Sequence, residues 1–498
     1  MKHRNTILII VPFVCFGLLS EAQAISPAPD GGYPGGNTAE GQTALLNLTT
    51  GGFNTALGFL SLRSDTTGSF NTATGAGTLL ANTGDSNTAT GTGALLSNMT
   101  GGPNTANGAF ALFSNTTGNN NNAFGFEALV SNTTGPFNNA FGNGALSGNT
   151  IGDRNTAMGE GAMLANTTGS QNTAVGVSAL RNNTTGVGNV AIGQDACSQS
   201  QGGQINTAVG WSALVHNAGN FNTGNGAGAL QNNTTGNNNT ANGVGALSSN
   251  TLGGANVANG RDALGTNTTG SGSTAIGNSA LYHSTGVGNV ALGDSAGNNV
   301  TNANNVIVIG ANVPGANVND SCFIGNIRGV TTVNNDAIPV VIDSAGQLGT
   351  MSSSRRFKKE IKPMDKASET ILALKPVTFH YRSDKRDTPQ FGLIAEKVAE
   401  VNPDLVVRNK DGEIYTVRYD AVNAMLLNEF LKEHRKVQEL QATVLQQQKS
   451  FQSKLEAQEN KIAAVASGLR KIDARFQLSK PEQELAVKNH KTQICATP

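Results

Sequence analysis

The residues best placed to do chemistry lie in one short run, Ser352-Ser353-Ser354-Arg355-Arg356-Phe357-Lys358-Lys359, which sets three hydroxyls within a few positions of four basic side chains. A serine hydroxyl attacks a carbonyl when a neighbouring base takes its proton. A lysine serves as that base only when desolvation or a cationic neighbour lowers its pKa, and Arg355, Arg356 and Lys359 are such neighbours. The bland alternative is an ordinary turn with a solvated lysine. His380 sits in the alternating strand pattern of 377–381, where a structural role is expected and a catalytic accessory one is the alternative. Cys15, Cys197, Cys322 and Cys495 lie far apart with no paired metal-ligand spacing, so neither a disulfide framework nor a zinc site is expected, and nothing points to a cofactor.

The elements around that run must deliver and hold it. Upstream, the β-like segments 322–327 and 338–343, closed by turns at Gly346 and Gly349, predict a β neck over 321–352. Downstream, 389–407 reads as a strand, an amphipathic helix through Ile394, Val398 and Val401, and a second strand after Pro403. A long helix starts near Asp420. Its apolar residues recur at intervals of three, four and seven, which predicts a coiled coil over 426–476 with a phase shift near Gln447; Gln447 and Gln458 on the seam leave the number of strands open. The polar tail, 477–498, is expected to fray.

Most of the chain before the neck is one repeat. Asn54, Asn71, Asn87, Asn104, Asn121 and Asn138 recur every 17 residues, once after 16, and the series runs on to Asn305 with Ser273 standing in once. Each copy reads like Asn172-Thr-Ala-Val-Gly-Val-Ser-Ala-Leu, followed by a polar Asn-Asn-Thr-Thr-Gly turn. The unit is too short for a helix pair or a propeller blade. It suits one coil of two short strands and two turns, stacked at ~4.8 Å, so that about sixteen coils span roughly 75 Å over 54–320. Glycine at Gly58, Gly75 and onward supplies a left-handed or close-approach position, one apolar residue per coil points inward, and stacked asparagines bond as a ladder. So thin a core predicts association of several columns. The Asn-Thr-Thr triplets match glycosylation acceptors, but repeated turn chemistry explains them as well. Aspartate is too scarce for calcium-binding repeats, while threonine rows leave ice or sugar binding open.

Composition agrees with this division. The net charge is zero, yet only about fifteen charged residues lie between Ile25 and Asp320, and no lysine separates Lys2 from Lys358. With 5% aromatic residues and 62 glycines, the repeat relies on backbone pairing rather than on a bulky core. No basic, aromatic-interleaved surface exists for nucleic acid. The charged start, the apolar run from Thr6 to Ser20 and Ala22-Gln23-Ala24 predict a secretory signal over 1–24, with 25–53 as a linker. No later stretch reaches about 18 apolar residues, so no transmembrane segment is expected. Export predicts a secreted or cell-surface protein.

Two resemblances extend the reading. Asn189-Val-Ala-Ile-Gly, Ser273-Thr-Ala-Ile-Gly and Asn305-Val-Ile-Val-Ile-Gly resemble the head repeats of trimeric autotransporter adhesins, which implies a trimeric left-handed β-roll. More specifically, Ser353-x-x-Arg-Phe-Lys-x-x-Ile, Leu374-Lys-Pro-Val-Thr-Phe-His-Tyr, the run 391–407 and Tyr415-Thr-Val-Arg-Tyr-Asp-Ala-Val occur in the order of the endosialidase-type intramolecular chaperones, an autoproteolytic serine peptidase family. That resemblance covers about 353–440 and implies a small α+β chaperone domain over 353–425 that forms a homotrimer, assists an adjoining β-fibre and cuts itself off. It assigns Ser353 as nucleophile, Lys358 as base and Ser352-Ser353 as the scissile bond. The family usually carries aspartate after the serine; Ser354 stands there, and three serines in a row allow a register shift of one. The expectation is thus a mainly β stacked-coil fibre, adhesin-like, with a C-terminal chaperone. The alternative is a polysaccharide-degrading or carbohydrate-binding tail-spike-like protein, for which the repeat lacks paired carboxylates and aromatic platforms, Trp211 being the one tryptophan.

Overall fold

In the computed structural model, described for residues 33–334, 336–409 and 411–478, the chain divides into two units, one ending at Thr331 and one beginning at Thr332. The signal reading over 1–24, Cys15, Cys495 and the tail beyond 478 lie outside the described residues.

The first unit is a β-solenoid. Its 18 strands, β1 (Thr38–Glu40) through β18 (Cys322–Ile324), are three residues long, and each pairs in parallel with the next, Thr55 opposite Thr72 and Thr173 opposite Val190. At the spacing of parallel strands the stack rises about 80 Å. Two expectations change here. Each coil carries one strand and not two, because the remaining turns also hydrogen-bond coil to coil: Ser178 N–H donates to Glu160 O (3.0 Å) and Thr167 N–H to Thr184 O (3.0 Å). The stack also exceeds the 54–320 range at both ends. Asn37 and Ala39 already occupy coil positions within the stretch read as linker, and Cys322–Ile324 pairs with Ile307–Ile309, so that segment of the expected neck belongs to the solenoid.

The interior is richer than one apolar residue per coil. In the coil that starts at Asn172, Ala174, Ala179 and Leu180 are all buried, flanked by buried Asn172 and Asn183. Leu180 adopts φ 51°, and its equivalents from Leu62 to Leu281, Met163 and Cys197 among them, lie between 50° and 55°. A left-handed L-residue costs about 1–2 kcal/mol. Full burial of a leucine contributes about 1.5–3 kcal/mol, and the Leu180 N–H also donates to Ala196 O (2.9 Å), so the conformation is retained coil after coil.

Asparagine ladders satisfy the polar interior. Along one line, from Asn37 to Asn256, each Oδ1 accepts the backbone N–H of the residue one coil on and each Nδ2 donates to a glycine carbonyl, as in Asn155 Nδ2 to Gly169 O (2.8 Å); at the far end Asn289 Oδ1 accepts from Val306 and not from Asn305. Along the second, the turn asparagines bond side chain to side chain: Asn149 Nδ2 donates to Asn132 Oδ1 (2.7 Å) and Asn166 Nδ2 to Asn149 Oδ1 (2.8 Å). The adjoining threonine hydroxyls form a third line, Thr150 Oγ1 donating to Thr167 O (3.0 Å).

The second unit begins with an antiparallel hairpin, β19 (Val340–Ile342) and β20 (Leu348–Thr350). Two 3-10 segments follow, Arg355–Phe357 and Asp365–Ala373. Then come the hairpin β21 (Val377–Phe379) and β22 (Gln390–Gly392), helix α1 (Ala395–Val401) and the hairpin β23 (Val406–Arg408) and β24 (Ile414–Val417). Helix α2 (Tyr419–Gln477) closes the unit, starting one residue before the Asp420 expected for it. The Asn402 side chain accepts the Asp404 N–H (2.9 Å) and, with Pro403, sets the 3-10 turn that ends α1. Among the described residues only Val398, Leu405 and Val417 form the buried apolar centre, with Leu374, Leu393 and Met425 packed against them. No helix among the described residues is long and apolar enough to cross a membrane.

Candidate functional site

The serine run leaves β20 and enters the first 3-10 turn. Ser354, at φ −63° and ψ 137°, caps it: its carbonyl accepts the Phe357 N–H (3.0 Å), and its own N–H donates to Ser352 Oγ (3.2 Å). Lys358 then leaves the turn in extended conformation, its N–H donating to Arg355 O (3.0 Å), and the Arg356 guanidinium lies 4.7 Å over the Phe357 ring. Every residue from Met351 to Glu360 is exposed. Ser353 and Lys358 therefore share one solvent-facing strip, separated by a single turn, and no hydrogen bond joins them in the single chain. The strip leaves Lys358 solvated in one chain, so any desolvation, one of the two ways to make a lysine a base, would come from something packed onto it.

His380 follows β21, and its Nδ1 pairs with Asp387 Oδ1 at 3.1 Å across the β21–β22 loop. The same loop is pinned by Asp384, which accepts the N–H groups of Arg386 (2.9 Å) and Thr388 (3.0 Å); these bonds hold its carboxyl below the ordinary value. His380 thus has a structural partner in its own hairpin.

One cluster was not legible beforehand. Ser368, fully buried in the second 3-10 segment, accepts from Asn428 Nδ2 (2.7 Å) and donates to Glu429 Oε1 on α2, while Lys432 Nζ bonds the same carboxylate at 2.7 Å. Hydrogen bonds from Lys432 and Ser368 hold the Glu429 carboxyl below its ordinary value, and the bond to Glu429 holds Lys432 above its own, so this lysine is a fixed cation and not a base. The i,i+3 spacing of Glu429 and Lys432 was the available signal; nothing in the sequence marked Ser368 as their partner. A second tie joins α2 to the strands: Tyr419 Oη accepts the Leu393 N–H (3.0 Å), and the Arg418 N–H donates to Leu405 O (2.8 Å).

The solenoid offers surfaces rather than a cleft. The asparagines of the Asn-Thr-Thr triplets, among them Asn115, Asn132 and Asn166, are fully buried with Nδ2 engaged in the second ladder, so the folded coil withholds them from glycosylation. Among the described residues no group of three or more His, Cys, Asp or Glu could hold a metal ion.

Residues 353–407 match the family model described as chaperone of endosialidase. The match opens on Ser353 and spans the first three of the four sequence blocks; Tyr415–Val422 lies beyond it. No curated protein and no solved structure matches the chain. A chaperone-of-endosialidase segment behind a β-solenoid fits a tail-fibre-like protein.

Proposed function

We propose that this is a secreted or cell-surface fibrous, adhesin-like protein whose C-terminal chaperone assembles three copies and then cuts itself from the fibre before Ser353. The observation that carries the reading is the meagre interior of the second unit. Three buried apolar residues serve it, while Phe357, Leu372, Phe391 and Tyr415 are 65–81% exposed, and no residue of the 59-residue helix α2 is buried. A domain of that size with so small a core gains stability by packing against sister chains. Export rests on the signal reading of 1–24.

In the cleavage step, Ser353 Oγ attacks the Ser352 carbonyl carbon while Lys358 accepts the hydroxyl proton. The Ser352-Ser353 C–N bond breaks as the proton passes to the departing Ser353 nitrogen. Water then hydrolyses the resulting ester, leaving a carboxylate on Ser352 and a free amine on Ser353. The attacked carbonyl belongs to the same chain, so effective molarity is high and no substrate pocket is needed. Because the strip is exposed in one chain, assembly supplies the desolvation that activates Lys358, which makes cleavage a report on completed folding.

Light scattering on the purified full-length protein tests the assembly. A mass of three copies is expected; a single-copy mass at micromolar concentration overturns it.

A further inference from the structure

One shallow groove on the solenoid gathers charged side chains that the fold itself does not use. It encloses about 290 Å³, and its lining includes Glu127, Asn143, Ser147, Glu160, Leu164 and Arg181, from successive coils. Glu127 and Glu160 are far apart in the sequence, but only two coils of rise, about 10 Å, separate them along the stack. Among the described residues, neither carboxylate takes part in an ion pair or a side-chain hydrogen bond, and the Arg181 guanidinium takes part in none either.

The groove exists because two coils lack a side chain at its floor. Glu127, Gly144, Gly161 and Ser178 form one row, and all but the second and third carry side chains in the same left-handed conformation: φ is 57° at Glu127 and Ser178, 62° at Gly144 and 61° at Gly161. Conformation therefore does not demand glycine at the middle two. Space does not demand it either. A Cβ at Gly161 would meet nothing within 4 Å, and one at Gly144 would first meet the flexible tip of Leu164, at 3.3 Å.

An aromatic platform adjoins the groove. The Gly144 N–H donates to Phe126 O (2.9 Å) and the Gly161 N–H to Asn143 O (2.9 Å), so Phe126, Asn143 and Glu160 stand in one row, a coil apart. Phe110 holds the Phe126 ring edge-to-face, centroids 6.1 Å apart, and the residue is still 48% exposed. The arrangement recurs further along the same rows. There Trp211, 59% exposed, precedes Gly228 and Gly245, and the Arg261–Asp262 ion pair (3.1 Å) closes the far end.

A ring face beside amide, hydroxyl, carboxylate and guanidinium groups is complementary to a pyranose, which has an apolar face and a rim of hydroxyls that both donate and accept. An apolar protein segment would instead bury the charged groups without partners. Two carboxylates against one guanidinium leave the groove net negative, which disfavours anionic polymers. From Phe126 to Arg181 the surface runs roughly 14 Å along the stack, room for about three sugar residues of an extended chain.

We infer that this face of the solenoid binds a neutral polysaccharide. Phe126 stacks on one sugar ring, Glu127, Glu160 and Arg181 bond the hydroxyls of the next, and Trp211 makes a second contact further along the fibre. The inference gives the adhesin-like fibre a ligand class and stands apart from the assembly and cleavage of the second unit.

Affinity electrophoresis of the full-length protein tests this, in native gels containing a neutral β-glucan, a mannan or a galactan, with alginate as the anionic counterpart. Retardation by at least one neutral polysaccharide is expected, and none by alginate. Phe126→Ala removes the platform and Gly161→Asn fills the floor, and each is expected to weaken the retardation by about fivefold or more, while Thr117→Ala, outside the groove, leaves it unchanged. The fluorescence of Trp211, the one tryptophan, is expected to change when the retarding polysaccharide is added. Unaltered mobility in every neutral gel, equal retardation by alginate, retardation that survives both groove substitutions, or Trp211 emission that ignores the polysaccharide overturns the inference. None of these outcomes touches the light-scattering mass or cleavage at Ser353, so the two readings fail separately.

Discussion

Asn155 Oδ1 lies 3.0 Å from the backbone nitrogen of Asn172, one coil further along the solenoid, and the same oxygen accepts from Asn172 Nδ2 at 3.2 Å. One buried side chain thereby satisfies the main chain of its neighbour, while its own amide donates to Gly169 O. Asn155→Ala removes these bonds and a fourth, from Nδ2 to Asn138 Oδ1 (3.1 Å); Gly169 O keeps the bond from Asn166 Nδ2, but the buried Asn172 N–H is left unpaired, so the local stability of that coil is expected to fall by about 1–3 kcal/mol. Thr117→Ala, at an exposed side chain of the same repeat, is expected to stay within about 0.5 kcal/mol. Amide exchange at the altered coil and its neighbours measures both, because coils of a solenoid open locally.

Close stacking of glycines makes a sharper contrast. At Gly176, φ is +131° and an added Cβ would lie 2.7 Å from the carbonyl carbon and oxygen of Gly193. Gly176→Ala is expected to cost about 3 kcal/mol or more, since both the backbone conformation and the space forbid it. At Gly161, φ is +61° with nothing within 4 Å of the Cβ position, so Gly161→Asn is expected to cost less than about 1 kcal/mol. Chemical denaturation of the two variants separates these outcomes.

Three coils depart from the second asparagine ladder by placing another polar residue on it, at Asp65, Ser200 and Ser284. Ser200 stands where the next asparagine belongs, and the Oδ1 of Asn183 is left buried without a hydrogen-bond partner. Ser200→Asn is expected to restore the rung and stabilise that coil by about 1 kcal/mol. The same coil carries Cys197 in a leucine position, and burial pushes its thiol up to about 12, so alkylation of the native protein at neutral pH is expected to spare it.

Asp65 occupies the ladder position one coil before Asn82. Desolvation raises its carboxyl above the ordinary value of 3.8, partly opposed by the hydrogen bond from the Gly68 N–H. A carboxyl with a raised folded pKa binds more protons folded than unfolded. Its favourable contribution is present below about 3.8 and is lost as pH rises through the raised value. Asp65→Asn is therefore expected to stabilise the first coils at neutral pH and to lose that advantage below the ordinary carboxylate range. Melting curves of the pair at the two pH values check the sign.

How much of this was visible in the sequence differs from residue to residue. The spacing of Asn155 and Asn172 disclosed the period and the first ladder, since a polar residue repeated at a fixed interval must meet its copies in a stacked coil. Asn166 and Asn183 belong to a second ladder that looked like turn chemistry, because the burial of a turn asparagine depends on the coil above it. Leu180 in the left-handed region was not legible either: local propensity opposes it, and only stacking and burial sustain it. At the candidate site, the types and spacing of Ser353 and Lys358 were plain. That the strip is wholly exposed in one chain was not, since exposure follows from how little of the second unit is buried.

The Ser368 cluster couples the second 3-10 segment to α2. Ser368→Ala is expected to destabilise the unit by about 1–2 kcal/mol through the lost buried hydroxyl. Because the Glu429 carboxyl is held below its ordinary 4.5, its contribution is present above that value and lost as pH falls through the lower folded pKa. In Glu429→Gln, that acid-sensitive component of the melting temperature is expected to disappear.

Intact-mass analysis of the folded, purified protein bears most directly on the self-cleaving chaperone. Two fragments that divide between Ser352 and Ser353, present in the natural sequence and absent in Ser353→Ala and in Lys358→Ala, are the expected result. A folded, assembled natural protein that keeps only its uncut mass contradicts it.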